Sequence, residues 1–147
     1  DAGVPVVQIT TGTVCHLEAE MVARAVTRLD LDELDLLVIE NVGNLVCPAA
    51  FDLGEDCKLV LLSVTEGDDK PEKYPAAFAF ASAAVLSKTD LLPHVSFDVD
   101  RCKDGIWQVN PDLPVMMLSS TTGAGLAEFV AWLRHQYEHK ANKPHTH

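Results

Sequence analysis

The sequence predicts an α/β fold built around a parallel sheet. Two observations carry this prediction: short apolar runs that are typical of strands buried on both faces, and helix-like segments that alternate with them. The predicted strands cover residues 4–9, 36–39, 59–64, 83–86 and 115–118.

The helix-like segments are recognised by their apolar spacing. Leu17, Met21, Ala25 and Leu29 recur every four residues, so they form one face of a predicted helix. Residues 98–109 and 125–139 are further helix candidates. Pro75 interrupts the polar segment before it and predicts that a helix restarts there.

Length and composition limit the class of protein. A chain of 147 residues with 48% hydrophobic residues can build one ordinary domain, which we place at residues 1–139. The net charge of −11 disfavours binding to nucleic acid or to anionic membranes. No apolar run is long enough to predict a transmembrane helix. Four cysteines without a Cys-x-x-Cys pair disfavour a thiol oxidoreductase and favour a reducing, cytoplasmic setting.

Residues 140–147 are predicted to form a polar C-terminal tail. With His135 and His139, the tail histidines could bind a metal ion, although a solvated tail is the favoured interpretation.

Ligands of open parallel sheets bind beyond the carboxyl ends of the strands, so the loops there are the expected site. Ser87, Lys88 and Asp90 follow the fourth predicted strand and resemble the Asn-Lys-x-Asp motif of GTPases, with Ser in place of Asn. A Lys stem can cover a purine, and a carboxylate accepts hydrogen bonds from two guanine N–H groups. The alternative is an ordinary helix start at Asp90.

Two other loops carry weaker signals. "SSTTGAGL", with Ser119 and Ser120, resembles the GTPase loop that supports the base, or is a simple Ser/Gly turn. Glu40 and Gly43 in "ENVGN" resemble the Asp/Glu-x-x-Gly motif, in which the carboxylate holds the water shell of Mg²⁺ and the Gly N–H approaches a γ-phosphate. The alternative for these residues is a tight turn.

Cysteine and histidine recur at two predicted strand ends. Cys15 and His16 precede the first predicted helix, whose N-terminus should favour a thiolate, and Cys47 follows the second predicted strand. If both strands end at one sheet edge, a Cys₂His set suited to Zn²⁺ or Ni²⁺ converges there. Three ligands leave a position open for water, for a side chain such as Glu20, or for a second copy of the chain. Coincidence is the alternative for a Cys-His dipeptide alone.

The stretches "CHLEAEMV", "ENVGNLVCPAAFDLGE", "SVTEGDDKPEKYP" and "DLLP" together resemble HypB, the nickel-insertion GTPase family of hydrogenase and urease maturation. The resemblance extends to about residue 139. It implies a three-layer P-loop NTPase fold of the signal-recognition/MinD-like class that uses GTP and Mg²⁺ and couples GTP hydrolysis to transfer of Ni²⁺ or Zn²⁺. It also implies a nucleotide- or metal-dependent homodimer that works with a HypA-type nickel chaperone and a hydrogenase large-subunit precursor, with no nucleic acid or membrane as a partner.

The resemblance implies three groups of site residues. They are Glu40 and Gly43 for catalysis, Ser87, Lys88, Asp90, Ser119 and Ser120 for the nucleotide, and Cys15, His16 and Cys47 for the metal. Some members carry a histidine where Glu20 stands, and a basic residue is common near Thr13.

One expected motif is absent from the sequence, since no Gly-x-x-x-x-Gly-Lys-Ser/Thr stretch occurs. In the family the P-loop strand lies upstream of the position that matches Asp1. We therefore expect this chain to be the incomplete C-terminal part of a GTPase domain, inactive by itself. The alternative is a non-enzymatic metal-binding or interaction module.

Overall fold

The computed structural model describes residues 3–141 and divides the chain into two compact units, Asp1–Asp56 and Cys57–His147. The histidines predicted to mark a polar tail at residues 145 and 147 lie outside the described residues.

Within residues 3–56, the first unit contains one α-helix, α1 (Ala19–Val26), and two short 3-10 turns, Leu31–Glu33 and Cys47–Ala50. Helix α1 confirms the core of the predicted helix, and its Val22 is buried as the apolar spacing requires. Leu17 is also buried, just before the helix begins.

The strands predicted at residues 4–9 and 36–39 are wrong. Neither segment forms a strand in the described part of the chain, and Val4, Val6 and Val38 remain mostly exposed. A strand exists only when a neighbouring backbone completes its hydrogen bonds. An apolar run indicates that a segment is suited to a sheet, but the pairing itself is a tertiary event that these runs do not make here.

The second unit holds the sheet. Three parallel strands, β1 (Leu59–Ser63), β2 (Ala83–Ser87) and β3 (Val115–Met117), lie in the order β1-β2-β3. They confirm the other three predicted strands within one residue at each end. Residues 83–86 of β2 are all buried, which explains why this run carries no polar residue.

Between residues 57 and 141, four α-helices accompany the sheet: α2 (Lys70–Lys73), α3 (Pro75–Ala79), α4 (Val99–Val109) and α5 (Leu126–Ala141). Helices α2 and α3 both contact α4. Phe129 and Trp132 of α5 pack against the buried cluster of Ala83, Val85 and Met116, so α5 covers that face of the sheet. The parallel sheet with its covering helices confirms the α/β class.

Two helix starts agree with their sequence signals. Asp98 caps α4 by accepting a hydrogen bond from the backbone N–H of Arg101 at 3.0 Å. Helix α3 restarts at Pro75, where a missing N–H has no cost in the first turn.

The loop between β3 and α5 depends on glycine. Gly125 has φ +76°, and a Cβ built there would clash with the carbonyl oxygen of Met117. We expect Gly125→Ala to lower the free energy of unfolding by more than about 2 kcal/mol, because left-handed strain adds to a backbone clash. Chemical denaturation monitored by circular dichroism measures the change.

Gly123→Ala is the matched control. Gly123 also has positive φ, at +80°, but its nearest atom to a built Cβ is Leu126 Cδ1 at 3.9 Å. Gly123→Ala should lower the free energy of unfolding by only about 1 kcal/mol, the cost of a left-handed backbone conformation for alanine. If both variants lose the same free energy of unfolding, the clash is not the main cost of Gly125→Ala.

Candidate metal centre and nucleotide-binding loops

Three side chains of the first unit form a compact donor cluster. The thiols of Cys15 and Cys47 and one ring nitrogen of His16 all lie within 4.8 Å of one another. Cys15 is exposed, whereas His16 and Cys47 are partly buried. The convergence that the sequence suggested is therefore present, although it does not arise at the end of two paired strands.

The ring of His16 is fixed by an aromatic neighbour. It stacks on Phe51 with ring centroids 3.8 Å apart and planes only 11° from parallel. Its Nδ1 lies 3.9 Å from Cys15 Sγ, on the thiol side of the ring. Its Nε2 is buried and has no hydrogen-bond partner among the residues described. The Glu18 carboxylate lies close to this nitrogen, with Oε1 at 3.9 Å from Nε2.

The Cys-Pro pair has a local role in building this arrangement. Cys47 begins the 3-10 turn Cys47–Ala50, and Pro48 supplies a preset φ in its first residues. The turn ends with the N–H of Phe51 donating to the carbonyl of Pro48 at 3.5 Å. A thiol and a stacking ring are thus placed at opposite ends of one short turn.

The side chain of Asn41 joins the two ligand-bearing segments. Its Oδ1 accepts hydrogen bonds from the backbone N–H of Leu17 at 3.1 Å and of Val42 at 2.8 Å. Leu17 follows His16 directly, and Asn41 lies between Glu40 and Gly43. The segment from Glu40 to Gly43, which is predicted to contact the nucleotide, is therefore hydrogen-bonded to the segment that carries Cys15 and His16.

The predicted effect of a helix N-terminus on Cys15 is wrong. Helix α1 begins only at Ala19, with Glu18 as its N-cap, so Cys15 lies outside the first turn. A hydrogen bond with Cys47 is the main cause that raises the pKa of the Cys15 thiol, with some desolvation added. A metal ion binds the thiolate, so a bound cation would have to displace the proton of the Cys15 thiol.

The donor set fits a soft or borderline divalent cation. Two thiolates on one tetrahedral ion lie about 3.8 Å apart at usual Zn–S lengths. The three donor atoms, all within 4.8 Å of one another, would therefore have to move only slightly closer together to bind an ion. Two sulfurs and an imidazole suit Zn²⁺ or Ni²⁺ better than Mg²⁺. Glu20, considered as a fourth donor, instead pairs with Arg24 at 2.6 Å on the exposed side of α1.

The other two cysteines lie in the second unit and have different surroundings. Cys102 is fully buried in α4, and burial raises the pKa of its thiol to about 11. The Cys57 thiol donates to Gln136 Oε1 at 3.7 Å. All four cysteines are free thiols.

In the second unit the two predicted base-recognition loops meet. The Ser119 hydroxyl donates to Asp90 Oδ1 at 2.6 Å and accepts from the backbone N–H of Thr122 at 3.2 Å. Ser119 is fully buried, whereas Asp90 is partly exposed. The carboxylate is thus held on one oxygen by a neighbouring loop.

Lys88 has a backbone conformation that lysine rarely adopts. Its φ of +58° and ψ of +38° are left-handed, and it is the one non-glycine residue with positive φ in the described chain. The turn starts a 3-10 segment, Thr89–His94, directly after β2. Strain of this kind persists where the surroundings enforce it, and it is frequent at ligand sites.

The remaining predicted site residues lie at the end of β2 and at exposed loop positions. Ser87 ends β2, and its hydroxyl donates to the Leu62 carbonyl at 3.5 Å. Ser120 is exposed beside Ser119. Glu40 and Gly43 are exposed residues of the first unit, whereas the base-recognition loops belong to the second.

Sequence reasoning missed Asn41, Phe51 and Glu18. Their roles depend on which backbone N–H, ring or nitrogen comes close in the folded chain. Only their nearness in sequence to the donors could have drawn attention to them.

None of the helices formed by residues 3–141 has the length and apolar character that crossing a bilayer requires.

Comparison with known proteins gives a consistent result. Residues 1–117 match the model of the CobW/HypB/UreG nucleotide-binding domain. The hydrogenase maturation factor HypB of Azotobacter vinelandii is 58% identical over 134 residues, which cover 91% of this chain and 44% of that protein. The Escherichia coli K12 factor HypB is 52% identical over 134 residues, covering 91% and 46%. The chain thus spans less than half the length of these relatives.

Two solved structures share the fold. HypB from Helicobacter pylori in complex with nickel has a TM-score of 0.91 and 40% identity, covering 99% of this chain and 69% of that one. HypB from Archaeoglobus fulgidus has a TM-score of 0.82 and 41% identity, covering 88% and 63%. The similarity in sequence extends over most of the chain, and the backbone agrees with it. The chain therefore belongs to the CobW/HypB/UreG family of P-loop nucleotide-binding domains, and within that family to the HypB proteins.

Proposed function

We propose that the full-length protein is a GTP-dependent nickel metallochaperone of [NiFe]-hydrogenase maturation, in which GTP hydrolysis is coupled to metal transfer. The observation that carries the metal part is the cluster of two thiols and an imidazole within 4.8 Å. Membership of the HypB proteins, one of which has a structure in complex with nickel, supports nickel as the cargo.

The metal is cargo, so the centre must both hold and release it. Cys15, His16 and Cys47 supply three donors, which leaves a coordination position for an incoming or departing ligand. The exposure of Cys15 gives a partner access to that position. A second copy of the chain or a HypA-type chaperone is the expected source of the exchanging ligand, and a hydrogenase large-subunit precursor is the expected recipient.

Guanine recognition is assigned to the loops after β2 and β3. Asp90 would accept hydrogen bonds from the ring N–H and the amino group of guanine. The bond from Ser119 restrains the carboxylate before the base arrives, which lowers the entropy lost on binding. Lys88 would cover the base with its stem, and Ser87 and Ser120 would line the same loops.

Phosphate chemistry is assigned to Glu40 and Gly43 together with a P-loop supplied by the rest of the full-length protein. Glu40 would hold the water shell of a Mg²⁺ ion, and the Gly43 N–H would face the γ-phosphate. We expect the protein to act in the cytoplasm, where its thiols stay reduced.

Coupling between the two sites would run through Asn41. A shift of Glu40 or Gly43 with the nucleotide state would move Asn41, which holds the N–H of Leu17 beside His16. Linkage then requires that bound metal changes nucleotide affinity by the same factor as nucleotide changes metal affinity.

Removal of a donor thiol tests the metal centre. We expect Cys15→Ala and Cys47→Ala each to weaken Zn²⁺ and Ni²⁺ binding at least about tenfold, because each removes one of three ligands. Metal titration of folded, reduced protein with a competing chelator measures the dissociation constants. Cys57→Ala and Cys102→Ala are the controls and should bind as the native chain does.

The reverse pattern would contradict the assignment. If the control variants lose metal and the Cys15 and Cys47 variants retain it, the centre lies elsewhere. If all four retain it, the histidines near the C-terminus become the better candidate, and removal of residues 140–147 would show it.

Exchange of one carboxylate tests guanine recognition. In the full-length protein, Asp90→Asn should weaken GTP binding about ten- to a hundredfold, since it removes charge-assisted hydrogen bonds to two guanine donors. The same variant should improve binding of xanthosine triphosphate, whose base offers a carbonyl where guanine has an amino group. Equilibrium binding of both nucleotides and of ATP measures the change.

Asp112→Asn is the control, because it makes the same charge change at an exposed position between α4 and β3. Equal affinity of the native full-length protein for GTP and ATP would remove the guanine assignment.

Loss of the Asn41 side chain tests the coupling. In the full-length protein, Asn41→Ala should reduce the ratio of metal affinities measured with GTP and with GDP toward one, because the link to Leu17 is removed. Asn44→Ala is the matched control, since Asn44 Oδ1 accepts from Val46 N–H within its own turn, at 2.7 Å, and so does not join two separate segments as Asn41 does. An unchanged ratio in Asn41→Ala would show that coupling uses another route.

A further inference from the structure

The imidazole of His16 has one nitrogen that the fold leaves unsatisfied. Nε2 is buried and has no hydrogen-bond partner in the part of the chain that the structure describes. A buried polar atom without a partner carries a desolvation cost, so it calls for an explanation, and a hydrogen bond formed in the metal-bound state would supply one. The opposite nitrogen, Nδ1, faces the thiol of Cys15 at 3.9 Å.

The carboxylate of Glu18 lies where that bond can form. Its Oε1 is 3.9 Å from Nε2, about 1 Å beyond an ordinary N–H···O contact. Glu18 is the N-cap residue of α1, yet its side chain makes no capping hydrogen bond. The carboxylate is about half exposed, at 49%, so a small rotation can bring it to the ring.

The stacking of His16 on Phe51 permits two orientations of the imidazole ring, and Glu18 can select one of them. Stacking fixes the plane of the ring, but half a turn about the Cβ–Cγ bond exchanges the two edges and keeps the same plane. The stacked arrangement therefore does not determine which nitrogen faces the thiols. A hydrogen-bond acceptor at one edge of the ring does determine it, because it keeps a proton on the nearer nitrogen and leaves the other nitrogen free to bind metal.

We propose that Glu18 is a positioning residue for the metal centre: it accepts the Nε2 proton of His16 and so presents the Nδ1 lone pair to the cation shared with Cys15 and Cys47. The inference rests on the proposed metal function and goes beyond it by naming the group that orients the imidazole. Carboxylates behind ligating histidines have this effect in other metal sites.

Three variants of the chain test the proposal. Glu18→Ala removes the acceptor, and Glu18→Gln keeps an acceptor oxygen without the charge. Glu20→Gln makes the same charge change two residues away, on a carboxylate that pairs with Arg24. Zn²⁺ and Ni²⁺ dissociation constants are measured by chelator competition, and circular dichroism confirms that α1 is retained.

We expect Glu18→Ala to weaken both metals about ten- to a hundredfold, with Glu18→Gln between it and the native chain. Glu20→Gln should stay within about twofold of the native affinity, since an exposed ion pair contributes little.

A second readout separates orientation from a general loss of stability. Nitrogen-15 NMR of the Zn²⁺-loaded native chain should show His16 with metal at Nδ1 and a slowly exchanging proton at Nε2. In Glu18→Ala this proton should exchange rapidly, and both nitrogens should appear as metal ligands in a mixture. Metal at Nε2 in the native chain would overturn the proposal, as would native affinity in Glu18→Ala or an equal loss in Glu20→Gln.

Failure of this inference differs from failure of the proposed function. If metal binding ignores Cys15→Ala and Cys47→Ala, the metal centre itself is misassigned. If it depends on both thiols and ignores Glu18→Ala, the centre stands and only the role of Glu18 is wrong.

Discussion

The second unit depends on the pairing of β2 with a parallel strand on each side. The register aligns Leu62 with Leu86 and Leu86 with Met117, and residues 83–86 are buried. A strand that is hydrogen-bonded on both sides has no freedom to slide, because a shift by one residue would break both hydrogen-bond ladders and mismatch the side chains packed on its two buried faces. The position at which the chain leaves the sheet is therefore fixed at Ser87.

Because β2 ends at a fixed position, the loop after it also starts at a fixed position. Lys88 must turn immediately, and it does so in a left-handed conformation. The N–H of Thr89 then donates to the carbonyl of Leu118 at 3.2 Å, which joins the loops after β2 and β3. The bond from buried Ser119 to Asp90 completes this connection. The candidate guanine site thus consists of two loops whose starting points the sheet has already aligned.

The first unit reaches its candidate site by a different physical route. Its donors are assembled by a turn, a side-chain bridge and a ring stack rather than by a sheet. The turn beginning at Cys47 acts locally, whereas the Asn41 side chain joins the segment of Leu17 to its own, 24 residues further along the chain. The stack of His16 on Phe51 joins residues 35 positions apart in sequence and buries the imidazole beside the thiols. Such contacts can hold donors near one another and still let them adjust when a cation arrives or leaves.

Sequence patterns alone predicted the α/β class, three of the strands, the helix over residues 98–109, and Cys15, His16, Cys47, Asp90 and Ser119 as candidate site residues. These predictions rest on patterns within short windows: apolar runs, helical spacing, and donor types placed after strands. Sequence patterns also predicted strands at residues 4–9 and 36–39 that do not form, and a helix N-terminus close enough to favour a Cys15 thiolate, whereas α1 begins only at Ala19. The folded chain settles those points, because strand pairing, the stack of His16 on Phe51 and the approach of Glu18 to the unpaired nitrogen are contacts between groups whose distance no local pattern contains.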